Sequence, residues 1–143
     1  MKYKIEIIDT QSEDFIIYAK QDSETLLMIE KLLAENCHTV FGYGDNEVIK
    51  LDASSVYCFF TEGNKTYALT ESGKLHIKDR LYRLEEIFSK SFVKINQSCL
   101  VNVSKIKKFE SSIGGSLSVI LEGGYKDYIS RRQLKAVKER MGI

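Results

Sequence analysis

Two adjacent arginines stand where a helix is predicted to begin near the end of the sequence. Ser130 and a glutamine three residues later have the spacing of a capping box, which makes Arg131 and Arg132 the first helical residues. A helix N-terminus carries about half a positive charge, so each cation there is unfavourable by a few tenths to about 1 kcal/mol. Two guanidinium groups beside free backbone N–H groups make an anion site, and a phosphate would relieve the repulsion. The alternative is that one arginine pairs internally with Asp127 or Glu139.

A second polar cluster stands at the end of a predicted strand. Alternation places Val93 and Ile95 on one side of this strand, and Lys94 and Asn96 on the other. Asn96 and Gln97 carry amide side chains, which suit bidentate hydrogen bonding to adenine edges, and Lys94 adds a positive charge. An ordinary Asn-Gln-Ser turn explains the same residues, so both interpretations stay open at this point.

The remaining reactive residues do not form a recognisable catalytic or metal-binding pattern. The sequence lacks a glycine-rich phosphate loop followed by Lys and Ser or Thr, and no nucleophile–base pair is evident. His38 and His76 are isolated, and the three cysteines, Cys37, Cys58 and Cys99, have no metal-ligand spacing. We therefore predict a protein that is not an enzyme and that holds no metal or cofactor. The odd number of cysteines predicts reduced thiols in a cytoplasmic protein.

The first 44 residues predict a small strand-strand-helix segment. Apolar and polar residues alternate over residues 3–7, and an apolar run spans residues 15–19, so each stretch predicts a strand. Apolar residues at helical spacing over residues 26–33 predict a helix. The apolar face of this helix is broad, and we expect part of it to pack on a neighbour.

A mainly β domain is predicted over residues 45–143. The glycine-containing segment 42–46 marks the expected domain boundary, and short strands separated by polar turns follow it. One helix is predicted to be capped by Asp79, and a last helix begins after Ser130. The fold class is therefore α+β, with most residues in strands. The predicted strands are residues 47–51, 55–61, 65–70, 74–77, 92–96, 99–101, 106–111, 117–121 and 125–129.

Charge is distributed unevenly along the 143 residues. Residues 1–89 hold 10 Lys and Arg against 16 Asp and Glu, a net charge of −6, whereas residues 90–143 hold 11 against 4, a net charge of +7. A basic last third on a nearly neutral chain favours an anionic partner for that part. Apolar runs reach five residues at most, whereas a membrane-spanning helix needs roughly 20. We therefore expect no membrane-spanning helix.

Residues 92–102, which read Phe-Val-Lys-Ile-Asn-Gln-Ser-Cys-Leu-Val-Asn, resemble the central motif of the LytTR DNA-binding domain. That motif runs as an aromatic, a variable residue, a basic residue, Ile or Cys, two polar or basic residues, Ser, two or three apolar residues and Asn. Ile106 stands where the family has Ile after a short turn. Residues 129–132, Ile-Ser-Arg-Arg, are similar to the family's final motif, and residues 81–88 to the helix before the central motif. The resemblance covers about residues 45–143.

The resemblance implies an elongated bacterial fold of small stacked β-sheets, in which loops and strand ends enter successive DNA major grooves. The chain departs from the common family pattern at Gln97, where a basic residue is frequent, and at Tyr67, where some members have His. Asn96 and Gln97 either read base edges or support their loop, and Tyr67 is either a DNA contact or a core residue. The implied DNA-binding residues are Asn64, Lys65, Tyr67, Lys94, Asn96, Gln97, Arg131 and Arg132.

The resemblance predicts sequence-specific binding of double-stranded DNA, which regulates transcription, by a homodimer on a repeated site. Residues 1–44 are too few for a response-regulator receiver. They are similar to the N-terminal segment of receiver-less members, which are often paired with a small membrane protein thought to restrain them. We predict that this segment contacts a second protomer or such a regulator. The alternative function is a protein–protein module that docks an acidic partner without reading DNA sequence.

Overall fold

A computed structural model describes residues 24–36 and 39–143, and within the first of these ranges it describes the side chains of residues 24–30. The chain divides into two compact units, residues 1–37 and residues 38–143. The predicted strands at residues 3–7 and 15–19 lie outside the described residues.

The described part of the first unit is one helix, α1, which spans Glu24–Asn36 and confirms the helix predicted there. Two large apolar side chains of α1 are exposed: Leu27 keeps 61% of its accessible surface and Met28 keeps 66%. No helix in the described residues is both long and apolar enough to cross a bilayer.

The second unit contains ten strands and two helices. The strands are β1 (Val40–Tyr43), β2 (Val48–Leu51), β3 (Val56–Glu62), β4 (Lys65–Thr70), β5 (Gly73–Ile77), β6 (Phe92–Asn96), β7 (Cys99–Asn102), β8 (Ile106–Ser111), β9 (Leu117–Leu121) and β10 (Lys126–Ile129). The helices are α2 (Leu81–Ile87) and α3 (Arg131–Met141). Short 3₁₀ turns at Ala53–Ser55 and Val103–Lys105 precede β3 and β8. The mainly β, α+β class is confirmed, and nine of the strands lie within one residue of their predicted limits.

The strands form two antiparallel sheets. The large sheet has the order β2-β1-β5-β4-β3-β7-β6, and the small sheet has the order β10-β9-β8. One face of the large sheet packs on α2 through a cluster that includes Phe59, Leu84 and Leu100. The other face packs on the small sheet and α3 through a cluster that includes Ile95 and Val137. Strand β7, which lies between β3 and β6, is therefore buried on both faces, and this explains the apolar run of residues 99–101.

Strand β1 was not predicted, because Gly42 indicates a turn in the sequence but has a packing role in the fold. Gly42 lies inside β1, which pairs with β2 and β5 in the large sheet, and only the segment after Tyr43 makes the hairpin turn. A Cβ atom on Gly42 would stand 2.8 Å from Leu75 Cδ1 and 3.0 Å from Leu75 Cβ, so a larger residue at this position would force the buried Leu75 to move. β1 therefore belongs to the large sheet, although it precedes the domain boundary predicted between residues 44 and 45.

The first residue of α2 differs from the prediction, which placed the N-cap at Asp79. The N-cap of α2 is Arg80 and not Asp79, so the helix begins one residue later than predicted.

Asn102, the last residue of the central motif, is buried, and its Nδ2 donates to the carbonyl oxygens of Ala53 and Val56 at 2.9 Å each. Asn102 Oδ1 accepts from the backbone N–H and hydroxyl of Ser104. This asparagine joins the 3₁₀ turns before β3 and β8.

Candidate nucleic-acid interface

Three connections meet at one end of the large sheet. The β3–β4 turn (Gly63, Asn64) and the β6–β7 turn (Gln97, Ser98) are neighbours, because the N–H of Thr61 donates to the carbonyl of Ser98 at 2.9 Å. The start of α3 is joined to the same end, because the N–H of Ser130 donates to the carbonyl of Ile95 at 2.9 Å. We call the surface formed by these two turns and by Arg131 and Arg132 the turn end.

The start of α3 is fixed by Ser130. Its Oγ accepts from the N–H of Gln133 at 3.3 Å, which confirms the predicted N-cap. The reciprocal half of a capping box is not made, because the N–H of Ser130 is used by Ile95 at the end of β6. The cap therefore holds the helix start against the strand that carries the polar cluster.

Arg131 and Arg132 are both exposed, and the first turn of α3 contains no acidic residue. Among the described residues, neither guanidinium forms an ion pair, with Asp127 and Glu139 included. The Oδ1 of Asp127 instead accepts from the N–H of Tyr128 at 2.8 Å. Within this part of the chain, the two cations add to the positive end of the helix without compensation, which is the arrangement that an anion would relieve.

Asn96 lies inside the turn end and not on its surface. The residue keeps 1% of its accessible surface, its Nδ2 donates to the carbonyl of Tyr128 at 2.9 Å, and its Oδ1 accepts from the N–H of Ser98 at 2.9 Å. The predicted alternation fails here, because the β6–β7 pairing shifts register between Lys94 and Asn96. Such a bulge re-aims side chains, and it turns Asn96 inward beside the buried Ile95.

Four of the predicted site residues line one open groove at the turn end, with a volume of about 870 Å³. Gln97, Asn64 and Lys65 are exposed, and Lys94 is half-buried. Gln97 presents its amide from the β6–β7 turn, while Asn64 and Lys65 come from the β3–β4 turn. The groove therefore brings together polar residues separated by about thirty positions in sequence, with cations beside amide groups. Its lining also includes Thr61, Gly63, Thr66, His76, Ile77, Lys78, Asp79, Arg80, Leu81, Tyr82 and Glu85.

Tyr67 is not among the residues of this groove. It is half-buried on the large sheet, where its ring stacks on Phe60 with centroids 5.7 Å apart and meets His76 edge-on at 5.9 Å. The Nζ of Lys74 lies 4.4 Å from the centre of the same ring and is paired to Glu62 at 2.8 Å. Tyr67 thus packs against neighbouring side chains of the sheet, outside the groove that Asn64, Lys65, Lys94 and Gln97 line.

Two cations of the groove were not identified from the sequence. Lys78 and Arg80 lie in the connection between β5 and α2, and both are exposed. In the sequence these two cations flank Asp79, which gives no indication of a shared site. Their position near Lys65 follows only from the register of β4 and β5, in which Thr66 pairs with Ile77.

The buried thiols are not candidates for chemistry. Cys58 and Cys99 are free and buried, and Cys37 lies outside the described residues. A hydrogen bond with Cys58 and burial raise the pKa of the Cys99 thiol well above its usual value, so the thiolate is disfavoured. Burial likewise raises the pKa of Tyr125. The described residues contain no group of three or more His, Cys, Asp or Glu that could hold a metal ion.

Comparison with known proteins agrees with this architecture. Residues 46–142 match the family described as the LytTr DNA-binding domain. The chain is 31% identical to HTH-type transcriptional regulators of Staphylococcus aureus strains NCTC 8325 and COL, over 100% of this chain and 99% of each relative. A solved LytTr DNA-binding domain from Bacillus cereus superposes with a TM-score of 0.69 at 22% identity, covering 73% of this chain and 97% of that one.

The described helices do not form a helix-turn-helix. Five strands separate α1 from α2, and five more separate α2 from α3. The polar groups at the turn end come from turns and from one helix start, as in a fold that presents loops rather than a recognition helix. With the family match covering residues 46–142 and the relatives spanning the whole chain, the resemblance read from the two motifs is confirmed: this chain belongs to the LytTR DNA-binding-domain family.

Proposed function

We infer that this chain binds double-stranded DNA in a sequence-specific manner to regulate transcription, the function for which its family is named. The observation that carries the inference is the pair of exposed guanidinium groups at the capped start of α3, which is held against the end of β6 and which finds no ion-pair partner among the described residues. A phosphodiester backbone supplies the negative charge that this helix start lacks. The neighbouring turn presents an exposed amide, Gln97, which suits a base edge.

The predicted site residues fall into contacting and supporting groups. We propose that Arg131 and Arg132 bind phosphates or guanine, that Gln97 reads a base edge, and that Asn64, Lys65 and Lys94 contact the backbone beside it. We propose a supporting role for Asn96, because both ends of its amide are bonded inside the chain. We propose that Tyr67 packs on the large sheet beneath the turns, because its ring contacts the rings of Phe60 and His76.

Residues 1–44 are proposed to contact a second protomer of a homodimer on a repeated DNA site. The support is the pair of exposed apolar side chains, Leu27 and Met28, on α1. A small membrane protein that restrains the regulator stays a prediction of the family resemblance. Since the proposed partner is chromosomal DNA, we propose a cytoplasmic location and a role that involves no catalysis.

The proposal is tested by selecting duplexes from a random pool with the full chain. The selected duplex and a scrambled duplex of the same composition are then titrated at several salt concentrations. We expect the logarithm of the binding constant to fall with the logarithm of salt by about 0.9 for each phosphate contact, and the selected duplex to bind at least about 10³-fold tighter.

Two results would contradict this function. A binding constant that does not change with salt concentration would show that the chain makes no phosphate contacts. Equal binding of the selected and scrambled duplexes would mean that sequence is not read, and it would favour the alternative of a module that docks an acidic partner.

A further inference from the structure

Two walls of the groove at the turn end have different origins. One wall is the β3–β4 turn with Lys65, and the other is the connection between β5 and α2 with Lys78 and Arg80. In the β4–β5 ladder the outermost pair is Thr66 and Ile77, and the next residues outward are Lys65 and Lys78. Both walls therefore carry positive charge where the paired part of the two strands ends, which favours an anion in the groove between them.

The cations of the groove are not neutralised by the described part of the chain. The ion pairs of the described residues use Lys74, Arg83, Lys108 and Lys126, and none uses a cation of the groove. Two arginines one turn apart show the contrast. Arg83 Nη1 lies 3.3 Å from a carboxylate oxygen of Glu86, whereas Arg80 is exposed and forms no ion pair with any residue that the structure describes.

One of these cations is held in place. The Nζ of Lys78 lies 4.5 Å from the centre of the Tyr43 ring, which fixes a long side chain without neutralising its charge. Lys94 reaches the groove from β6 and stands three residues before Gln97 in sequence. A chain of backbone phosphates lying in the groove would thus meet positive charge from the start of β4, from β6 and from the connection between β5 and α2.

We propose that Lys78 and Arg80 form an additional phosphodiester-binding subsite, which extends the proposed DNA interface from the β6–β7 turn to the start of α2. This inference rests on the proposed function. We assign the subsite to the DNA backbone, and the comparison of the selected and scrambled duplexes distinguishes this role from the reading of a guanine edge by Arg80.

The test compares Arg80→Ala and Lys78→Ala with Arg83→Ala in the full chain. Arg83 is a matched control, because it is an exposed arginine one turn along the same segment whose charge is already paired. The probes are the selected duplex and its scrambled counterpart. For each subsite variant we expect the salt slope to shrink by about 0.9, so that the loss of affinity relative to the parent is about 3.5-fold larger at 50 mM than at 200 mM salt.

The loss should be the same for the selected and the scrambled duplex, because a backbone contact carries no sequence information. Arg83→Ala should keep the parent slope. An unchanged slope in Arg80→Ala and Lys78→Ala, with normal salt dependence of the parent chain, would overturn the subsite and leave the proposed function standing. A loss confined to the selected duplex would also overturn it, since the residues would then read sequence. A parent chain that binds neither duplex would instead remove the proposed function.

Discussion

Two cation-bearing surfaces of the second unit differ in where their negative partners lie. On the small sheet, Lys108 and Lys126 each lie 3.0 Å from a carboxylate oxygen of Glu110. At the turn end, Arg131 and Arg132 have no such partner among the described residues. The first surface satisfies its charges within the chain, whereas the second leaves them without a partner in the part of the chain that the structure describes. Under the proposed function, the cations of the small sheet stabilise the fold and those of the turn end bind DNA.

The largest effect is expected from Arg131→Ala combined with Arg132→Ala. The double variant should lose about 2–6 kcal/mol of duplex binding, at about 1–3 kcal/mol for each contact. Its free energy of unfolding should rise by a few tenths to about 1 kcal/mol for each arginine, because two cations leave the positive end of a helix. Duplex titration and urea denaturation measure the two quantities.

The matched control for this prediction is Lys108→Ala combined with Lys126→Ala, which removes the same charge from the small sheet. Duplex binding of the control should stay close to that of the parent. If both double variants lose affinity equally, overall charge governs binding, and the contrast between the two surfaces has no functional meaning.

The second effect concerns Asn96, which supports the turn end from inside. Asn96→Ala leaves the carbonyl of Tyr128 and the N–H of Ser98 without their side-chain partner. We expect the free energy of unfolding to fall by about 1–3 kcal/mol, as measured by urea denaturation. Asn64→Ala, on the exposed β3–β4 turn, should leave stability nearly unchanged. Equal losses in the two variants would contradict the supporting role.

The third effect is on discrimination and not on stability. Gln97→Ala should reduce the preference for the selected duplex over the scrambled duplex by about 1–3 kcal/mol, because an exposed amide at a base edge carries sequence information. Urea denaturation should give the parent value. A uniform loss on both duplexes would place Gln97 on the backbone, together with the cations of the groove.

The smallest effect is expected on the small sheet. Hydrogen bonds from Lys126 and Lys108 hold the pKa of Glu110 below its ordinary value of 4.5. The stabilisation is therefore present above the unfolded pKa and is lost as the pH falls through the lower, folded pKa. Glu110→Gln should remove this small pH dependence of the melting temperature, and high salt should remove it in the parent as well. If the melting temperature of the parent and that of Glu110→Gln change equally with pH, the ion pairs of Glu110 do not stabilise the fold.

The comparison also shows what the sequence could reveal. Period-2 alternation and turn residues located the strands, and the arginines at a capped helix start were visible because they break a local electrostatic rule. The orientation of Asn96 could not be predicted, because a bulge in β6 overrides the alternation from which it was inferred. β1 was missed because Gly42 signals a turn in sequence, whereas it permits close packing on Leu75 in the fold.

The full extent of the groove was also beyond the sequence. Lys65 and Lys78 become neighbours only through the register of β4 and β5, and Lys94 joins them because β6 lies two strands from β3 in the large sheet. Those are long-range pairings, which no local pattern specifies. Residue types thus indicated the chemistry of the site, and strand order determined which of the residues share it.

The central claim is that DNA is bound by the cations of the turn end, which have no ion pair within the described ranges 24–36 and 39–143, and not by the paired cations of the small sheet. The most direct measurement is an NMR titration of the isotope-labelled chain with the selected duplex, following the backbone amides and arginine side chains. We expect the largest chemical-shift changes at Gln97, Arg131 and Arg132, and unchanged amide resonances for Glu110 and Lys126. Shifts concentrated around Glu110 and Lys126, with Arg131 and Arg132 unaffected, would contradict it.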